Sequence, residues 1–363
     1  MARTEFGPGM VERLPEFIGE HGARVFVVTD RGLRATGIVG RVETIFAKAG
    51  VECAVHEDIG PNPATTELDR GAARLREFGP AVVVALGGGS ALDAAKGISL
   101  LAGNPGAEAA DADALWDALD GRPIIAVPTT SGTGAETNGF GVVEDVVARR
   151  KVYIGHSSVV PRIAVLDPEL TLGLPAAITA ATGLDALVHG VESLASRGAD
   201  SESAAHATRA VALVGEWLPV AFRDGTNLEA RAQLMLGAHL AGHALTRSGL
   251  GLVHGLGHAI TARTGTPHGV ALAAVLEEVM RFSAEAAAGP YAQVADALHA
   301  QSAVDAVGAI SGAIGIKRPL RDLGLTREDL PAVAQAALAD AVTKNTPKAP
   351  HQAEVEELLA SVY

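Results

Sequence analysis

Apolar residues fall in two different patterns along this chain. In the first half, short apolar runs are separated by segments with helical periodicity, and Ala81–Leu86 is apolar throughout, which is typical of a strand covered on both faces. Strands that alternate with helices indicate a largely parallel sheet. The pattern predicts strands at 23–30, 51–56, 81–86, 123–128 and 163–166, helices at about 31–50, 64–78 and from 91 onward, and a β-hairpin at 139–155.

The pattern changes after Leu174-Pro175, where strand signals end and helical periods follow one another. We therefore predict two domains: an α/β domain over residues 1–174 and an all-helical domain over 175–363. In the second domain the helical periods cover 175–197, 200–217, 228–245, 250–262 and 268–283. The segment from about 285 is expected to carry surface helices.

Composition excludes several classes of protein. The 363 residues are 48% hydrophobic, which is enough for two cores, and the formal net charge is −13. Nucleic acids and anionic membranes are therefore poor partners. Cys53 is the only cysteine, which excludes an intramolecular disulfide and a thiolate cluster. The N-terminus has no signal-like apolar segment, and no run approaches the ~18 apolar residues of a membrane helix, so we expect a soluble cytoplasmic protein.

The strongest chemical signal is a pair of histidine-containing helical segments. Asp185 and His189 are spaced i, i+4, as are His254 and His258, and this spacing places both members of a pair on one helix face. Imidazole nitrogens with a carboxylate oxygen suit a divalent transition metal such as iron or zinc. The alternative for any one pair is a hydrogen-bonded core histidine, but two such pairs in one chain favour the metal.

A glycine turn links the apolar run 81–86 to the next helix. Gly87-Gly88-Gly89-Ser90 would present backbone N–H groups and a helix N-terminus to an anion, usually phosphate. The alternative is a tight turn that binds nothing. The hydroxyl-rich loop from Thr129 to Gly134 follows another strand and has the same two interpretations: a phosphate or ribose contact, or a plain turn.

Asp30 ends the strand at 23–30. A carboxylate there would accept hydrogen bonds from an adenosine ribose and repel a 2′-phosphate, favouring NAD over NADP. The alternative is a helix N-cap.

Together these residues resemble the iron-containing (group III) alcohol dehydrogenase family, in family order from about residue 6 to 280. The matching segments are Phe6–Gly9, Val28–Asp30, Pro61–Pro63, Gly87–Ser90 with Asp93 and Lys96, Pro128–Thr133 with Glu136, Asp167-Pro168, Ala180–Asp185 with His189, and His254–Gly269.

The resemblance implies a dehydroquinate-synthase-like fold, with a nicotinamide-binding α/β domain, a helical metal-binding domain and the active site between them. The family's metal ligands fall on Asp185, His189, His254 and His268. Its further active-site histidine falls on His258, which we interpret as a proton relay; the alternative is support of His254 on the same helix face. The ion is Fe2+ or Zn2+, since both accept these ligands.

The resemblance also implies the contacts to the cofactor, NAD rather than NADP. Asn138 stands where the family usually has threonine, so that contact is expected to be altered. The expected cofactor residues are Asp30, Asn62, Gly88, Gly89, Ser90, Asp93, Thr129, Thr130, Thr133, Asn138 and Lys151.

The implied activity is hydride transfer between nicotinamide and a small aldehyde or primary alcohol, in a homodimer or larger homo-oligomer. Three alternatives stay open. One is a metal- and NAD-dependent lyase of the dehydroquinate synthase type, and another is a maleylacetate reductase, whose His-His-Lys sequence reads Leu252-Val253-His254 here. The third is a non-catalytic nucleotide or metal binder. Arg247, seven residues before His254, motivates the hypothesis of an anionic substrate. Its alternative is an ordinary surface arginine.

Overall fold

A computed structural model describes residues 2–147 and 150–363. The chain folds into two compact units. The first runs up to Thr130 and resumes over Ala135–Gly173, and the second contains Ser131–Gly134 and Leu174–Tyr363. The short insertion of residues 131–134 into the second unit was not predicted from the sequence.

Within the described part of the first unit, six parallel strands form one sheet: β1 Arg3–Phe6, β2 Arg24–Val28, β3 Glu52–His56, β4 Val82–Gly87, β5 Ile124–Pro128 and β8 Ile163–Leu166. Their order across the sheet is β1-β8-β5-β4-β2-β3. Every predicted strand of this sheet is present. The edge strand β1 was missed, because Arg3–Phe6 is a short and largely exposed segment. The α/β class of this half is confirmed.

Helices cover both faces of the sheet, as the apolar strands require. The helices of this unit are α1 Leu14–Gly19, α2 Arg31–Ala35, α3 Ile38–Lys48, α4 Thr65–Phe78 and α5 Gly89–Gly103. The single helix predicted over 31–50 is in fact two, because Gly37 between α2 and α3 has φ 87°, a conformation that glycine tolerates and a helix does not contain. The predicted hairpin is confirmed as β6 Phe140–Asp145 antiparallel to β7 Arg150–Gly155.

The second unit is helical throughout its described secondary structure, which confirms the all-α prediction. Its helices are α6 Ala176–Ala195, α7 Ser201–Arg223, α8 Leu228–Ser248, α9 Leu252–Thr264, α10 His268–Ser283, α11 Ala288–Ala297, α12 Ala303–Ala313, α13 Leu330–Ala339 and α14 Gln352–Ser361. The expectation of mere surface helices after residue 285 was wrong, because Val333, Ala337, Val355 and Leu359 are buried in the same core as α6 to α10.

Small residues let the helices that carry the functional groups approach closely. A Cβ atom added at Gly269, the second residue of α10, would lie 2.0 Å from the carbonyl oxygen of Ala181 on α6. Glycine is therefore required where α10 begins against α6. This contact sets His268 beside the helix that carries Asp185 and His189.

Candidate functional site

Four side chains predicted to bind a metal converge in the second unit. The Oδ1 atom of Asp185 lies 3.3 Å from Nε2 of His189, 3.3 Å from Nε2 of His254 and 3.8 Å from Nε2 of His268. The ligand atoms of Asp185, His189 and His254 all lie within 4.8 Å of one another, and all three residues are buried. The sequence prediction that these residues meet is therefore supported by the geometry.

The spacing of these donors suits one divalent ion. With metal–ligand distances of about 2.1 Å, the donors of a tetrahedral site are separated by roughly 3.4 Å. The separations from the Asp185 oxygen are close to this value. Three imidazoles and one carboxylate form a donor set that iron and zinc both accept. The residues present therefore fit the metal that the sequence predicts.

Local helix geometry explains why the four groups meet. Asp185 and His189 are one turn apart on α6, so their side chains share a face. His254 lies in the first turn of α9, and His268 is the first residue of α10, directly after Pro267. Proline before a helix start fixes the chain at the point where it enters α10.

The protonation states of His189 and His268 also favour metal binding. Burial lowers the pKa of His189 to about 4 and that of His268 to about 3, so both imidazoles are neutral near pH 7. Burial alone would raise the pKa of Asp185, but the imidazoles around it hold that pKa well below its usual range. Burial opposes a charge on His254 as well, yet its hydrogen bonds to Asp185 and Glu192 raise its pKa to about 9.

Glu192 orients His254 and was missed by the sequence analysis. Its Oε2 atom lies 2.6 Å from Nδ1 of His254, and its Oε1 atom accepts a 2.7 Å hydrogen bond from the backbone N–H of Val253. This carboxylate fixes the ring so that Nε2 faces Asp185, as outer partners of metal-bound histidines do. The signal was available: Glu192 follows Asp185 by seven residues and His189 by three, which places all three on one face of α6.

His258 has a different partner from the ligands. Its Nδ1 atom lies 2.8 Å from Oδ2 of Asp340, which precedes the 3₁₀ turn Ala341–Asn345. The ring stacks on that of His268 with centroids 5.2 Å apart, and 22% of the His258 side chain is exposed. Glu192 holds the Nδ1 atom of His254, and the His258 ring meets the His254 ring edge-on with centroids 6.0 Å apart. Asp340 lies in the C-terminal segment for which the sequence suggested no chemistry.

The glycine turn of the first unit lies at the carboxyl end of the sheet. Gly87 ends β4 with φ 149°, and α5 begins at Gly89, two residues earlier than predicted. Asp30 is the N-cap of α2, since its Oδ1 atom accepts a 2.9 Å hydrogen bond from the N–H of Leu33. Its Oδ2 atom faces the turn, because a Cβ added at Gly87 would lie 3.5 Å from it. The N-cap role therefore leaves one carboxylate oxygen beside the glycine turn.

The hydroxyl loop begins next to the same turn. The N–H of Thr129 donates a 2.9 Å hydrogen bond to the carbonyl oxygen of Gly87, and a Cβ at Gly88 would lie 3.3 Å from Cγ2 of Thr130. The backbone is therefore close-packed at Gly88. Thr129 and Thr130 lie beside the glycine turn, whereas Thr133 belongs to the second unit.

Two further predicted cofactor residues contact each other. Nζ of Lys151 on β7 donates a 3.1 Å hydrogen bond to Oδ1 of Asn62, and Asn62 has φ 54° in the turn before α4. Burial lowers the pKa of Lys151. The pair joins the hairpin to the turn at residues 60–63.

Asp93 and Asn138 hold a buried lysine. Nζ of Lys96 lies 2.8 Å from Oδ1 of Asn138, 3.4 Å from Oδ1 of Asp93 and 2.6 Å from the carbonyl oxygen of Phe140. Oδ2 of Asp93 accepts a 3.0 Å hydrogen bond from the N–H of Val142. Burial lowers the pKa of Lys96 and raises that of Asp93. These contacts anchor the hairpin to α5, a structural role that the sequence did not predict.

Arg247 has the contacts of a surface residue. Its guanidinium pairs with Asp200 and Glu202, and 40% of its side chain is exposed. Two carboxylates already neutralise its charge, so the structure does not support it as a receptor for an anionic substrate.

Comparison with known proteins assigns both halves of the chain to one family. The profile described as "Iron-containing alcohol dehydrogenase" matches residues 2–168, and the profile described as "Fe-containing alcohol dehydrogenase family, C-terminal" matches residues 179–363. A probable alcohol dehydrogenase of Escherichia coli, EutG, is 34% identical over 99% of this chain and 92% of its own length.

Solved structures of similar proteins share the fold. The crystal structure of a 1,3-propanediol oxidoreductase superposes with a TM-score of 0.94 at 32% identity, covering 99% of this chain and 98% of the other. The sulfoacetaldehyde reductase of Bifidobacterium kashiwanohense, solved in complex with NAD+, gives 0.92 at 28% identity, covering 99% and 96%.

Proposed function

The chain belongs to the iron-containing alcohol dehydrogenase family, and we propose that it interconverts a small aldehyde and its primary alcohol with NAD(H). Members of this family are metal-dependent oxidoreductases that act on alcohols, which fixes the class of reaction. The cofactor, the identity of the metal and the substrate are parts of the proposal.

The observation that carries the proposal is the donor set of Asp185, His189, His254 and His268. Their spacing suits one Fe2+ or Zn2+ ion. When bound, such an ion supplies Lewis-acid polarisation of the substrate oxygen and lowers the pKa of an alcohol. Glu192 keeps the His254 ring in the required orientation through the hydrogen bond at Nδ1.

His258 is proposed to move the proton. The carboxylate of Asp340 accepts a hydrogen bond from Nδ1 of His258. This contact directs the Nε2 atom of the partly exposed His258 ring away from Asp340. An imidazole with one nitrogen held by a carboxylate can take a proton at the other nitrogen and release it to solvent. Oxidation of an alcohol releases one proton besides the hydride, and this pair provides a path for it.

The dinucleotide is proposed to bind at the carboxyl end of the sheet in the first unit. The N-terminus of α5 with Gly88, Gly89 and Ser90 offers N–H donors to the diphosphate. The free oxygen of Asp30 suits ribose hydroxyls and repels a 2′-phosphate, which favours NAD over NADP. The NAD+ complex of the sulfoacetaldehyde reductase supports this choice. Hydride transfer itself is the chemistry of the nicotinamide.

The names of the similar proteins support small aldehydes as substrates. Because Arg247 is already paired with two carboxylates, the proposal does not require an anionic group on the substrate.

Within the described residues, no helix is long and apolar enough to cross a membrane. The family resemblance further supports a cytoplasmic homodimer or larger homo-oligomer, which light scattering of the purified protein would test.

An NADH-oxidation screen tests the function. The protein is reconstituted separately with Fe2+ and Zn2+ and mixed with NADH and a panel of small neutral and charged aldehydes, and metal content is measured by mass spectrometry. Consumption of one NADH per aldehyde supports a dehydrogenase. A lyase of the dehydroquinate synthase type would recycle its NAD and show no net oxidation of NADH. Failure with every aldehyde, in protein that binds metal, would refute the proposal.

A further inference from the structure

A second group of imidazoles lies between α7 and α8, outside the donor set described above. His239 and His243 are one turn apart on α8, and the ring of His206 on α7 contacts that of His243. The Nε2 atoms of His239 and His243 are 3.2 Å apart, and the ring centroids of His206 and His243 are 5.6 Å apart. The proposed reaction gives these three histidines no role.

The separation of the two Nε2 atoms is that of a metal-binding pair. Two imidazoles bound tetrahedrally to one ion at about 2.05 Å have their nitrogens roughly 3.3 Å apart. The i, i+4 spacing on a helix produces this arrangement without strain, because both side chains lie on the same face. The pair on α8 therefore has the geometry of a bidentate ligand.

The candidate metal centre itself provides a standard for the third imidazole. In that centre the rings of His189 and His254 are 4.7 Å apart, and those of His254 and His268 are 5.4 Å apart. In the group on α7 and α8 the corresponding ring distances are 4.6 Å for His239–His243 and 5.6 Å for His206–His243. The ring distances in the two groups are therefore similar.

Burial and exposure suit a closed site with an entrance. His239 and His243 are 4% and 9% exposed, whereas His206 is half-buried. Metal ions bind imidazole through an unprotonated ring nitrogen. The ions that prefer such nitrogen ligands are the late divalent transition metals, and zinc accepts three histidines with a water molecule in the fourth position.

We propose that His206, His239 and His243 form a second, non-catalytic site for a divalent transition ion, Zn2+, which joins α7 to α8. The proposal is independent of the dehydrogenase activity, since it concerns different residues and requires no substrate. It predicts two bound ions per chain rather than one.

Metal stoichiometry tests this site. The full chain is stripped with a chelator and dialysed against Zn2+, and bound zinc is measured by mass spectrometry. Two equivalents are expected for the natural sequence, one for the double variant His206→Gln with His243→Gln, and two for the control His21→Gln, an exposed histidine of the first unit. One equivalent in the natural sequence, or two in the double variant, would overturn the proposal.

A second measurement separates this site from the candidate catalytic centre. The variant His254→Ala is expected to keep one equivalent of Zn2+, and the same chain titrated with Co2+ should show the visible bands of a three-nitrogen site. Binding of no ion by this variant would refute the second site and leave the proposed function standing. Conversely, two bound ions without NADH oxidation would refute the proposed function alone.

A further variant is needed if the double variant does not fold. His206→Gln in the His254→Ala chain is expected to weaken Zn2+ binding at least about 10-fold, and unchanged affinity would contradict the proposal.

Discussion

The candidate metal centre and the candidate dinucleotide turn are built in opposite ways. The metal centre consists of charged and imidazole side chains on helices, with Asp185 within 3.8 Å of three histidines. The turn consists mainly of backbone, with Gly87, Gly88 and Gly89 at the junction of β4 and α5. One site depends on which side chains are present, and the other depends on which are absent.

This difference determines how each site should respond to mutation. Removal of a ligand from the metal centre leaves an ion with an incomplete donor set, so function should be lost in one step. The proposed contacts of the turn with the cofactor would be distributed over several N–H groups, so single changes should weaken cofactor binding by degrees. The expected effects of mutation on activity therefore decrease from the candidate metal centre to the glycine turn and then to the surface.

The largest effect is expected for His254→Ala. Lewis-acid assistance by a metal lowers the activation barrier by several kcal/mol, and each 1.36 kcal/mol of the barrier corresponds to a factor of ten in rate. We expect kcat/KM for aldehyde reduction to fall at least about 1,000-fold and the metal of the catalytic centre to be lost. The exposed His351→Ala is the matched control and should retain both. Normal activity in His254→Ala would contradict the assignment of the ligand.

A smaller loss is expected for Glu192→Gln. The amide preserves size but replaces the charged acceptor at Nδ1 of His254, and changes to such outer partners typically reduce metal affinity by about 10- to 100-fold. A competition titration with a chromophoric chelator measures the affinity. Glu202→Gln, on the exposed α7 start, serves as control. If Glu192→Gln binds metal as tightly as the natural sequence, Glu192 has no role in orienting His254.

The metal centre was the more predictable of the two sites. The spacing of Asp185 and His189 specifies a shared helix face, and the same rule extends to Glu192, which was overlooked because it supports a ligand and is not one itself. Asp340 was not predictable in this way, since its contact with His258 spans 82 residues and depends on the packing of α13 against α9. Long-range pairs of this kind leave no local pattern in the sequence.

The dinucleotide turn should respond to Asp30→Ser in cofactor preference rather than stability. Serine caps a helix about as well as aspartate, so Tm should change by less than about 2 °C. Loss of a hydrogen bond to a charged group costs about 1.5–3 kcal/mol, so we expect the KM for NADH to rise by about 10- to 100-fold and the preference over NADPH to shrink. Asp30→Ala should additionally lower Tm through loss of the cap. An unchanged KM in Asp30→Ser would exclude Asp30 from the cofactor site.

The turn illustrates what the sequence could not specify. The strand and the glycines were predictable, but the two functions of Asp30, one oxygen on Leu33 and one facing Gly87, depend on the alignment of β2 beside β4. The contacts of Asp93 and Asn138 with Lys96 depend on the hairpin folding back on α5. The split of the helix at 31–50 follows from Gly37, whose left-handed conformation the apolar periodicity did not reveal.

The smallest effect is expected for Arg247→Ala on the surface of α8. Its partners Asp200 and Glu202 are exposed, and exposed ion pairs contribute little. We expect kcat/KM to change less than about twofold for both charged and neutral aldehydes. A selective loss with charged aldehydes would restore Arg247 as a receptor for anionic substrates.

Anomalous diffraction at the absorption edge of the bound metal tests the central claim most directly. Crystals of the active, metal-reconstituted protein should show an anomalous peak within bonding distance of Asp185, His189, His254 and His268. An active enzyme whose crystals show no peak among these four side chains would contradict the account.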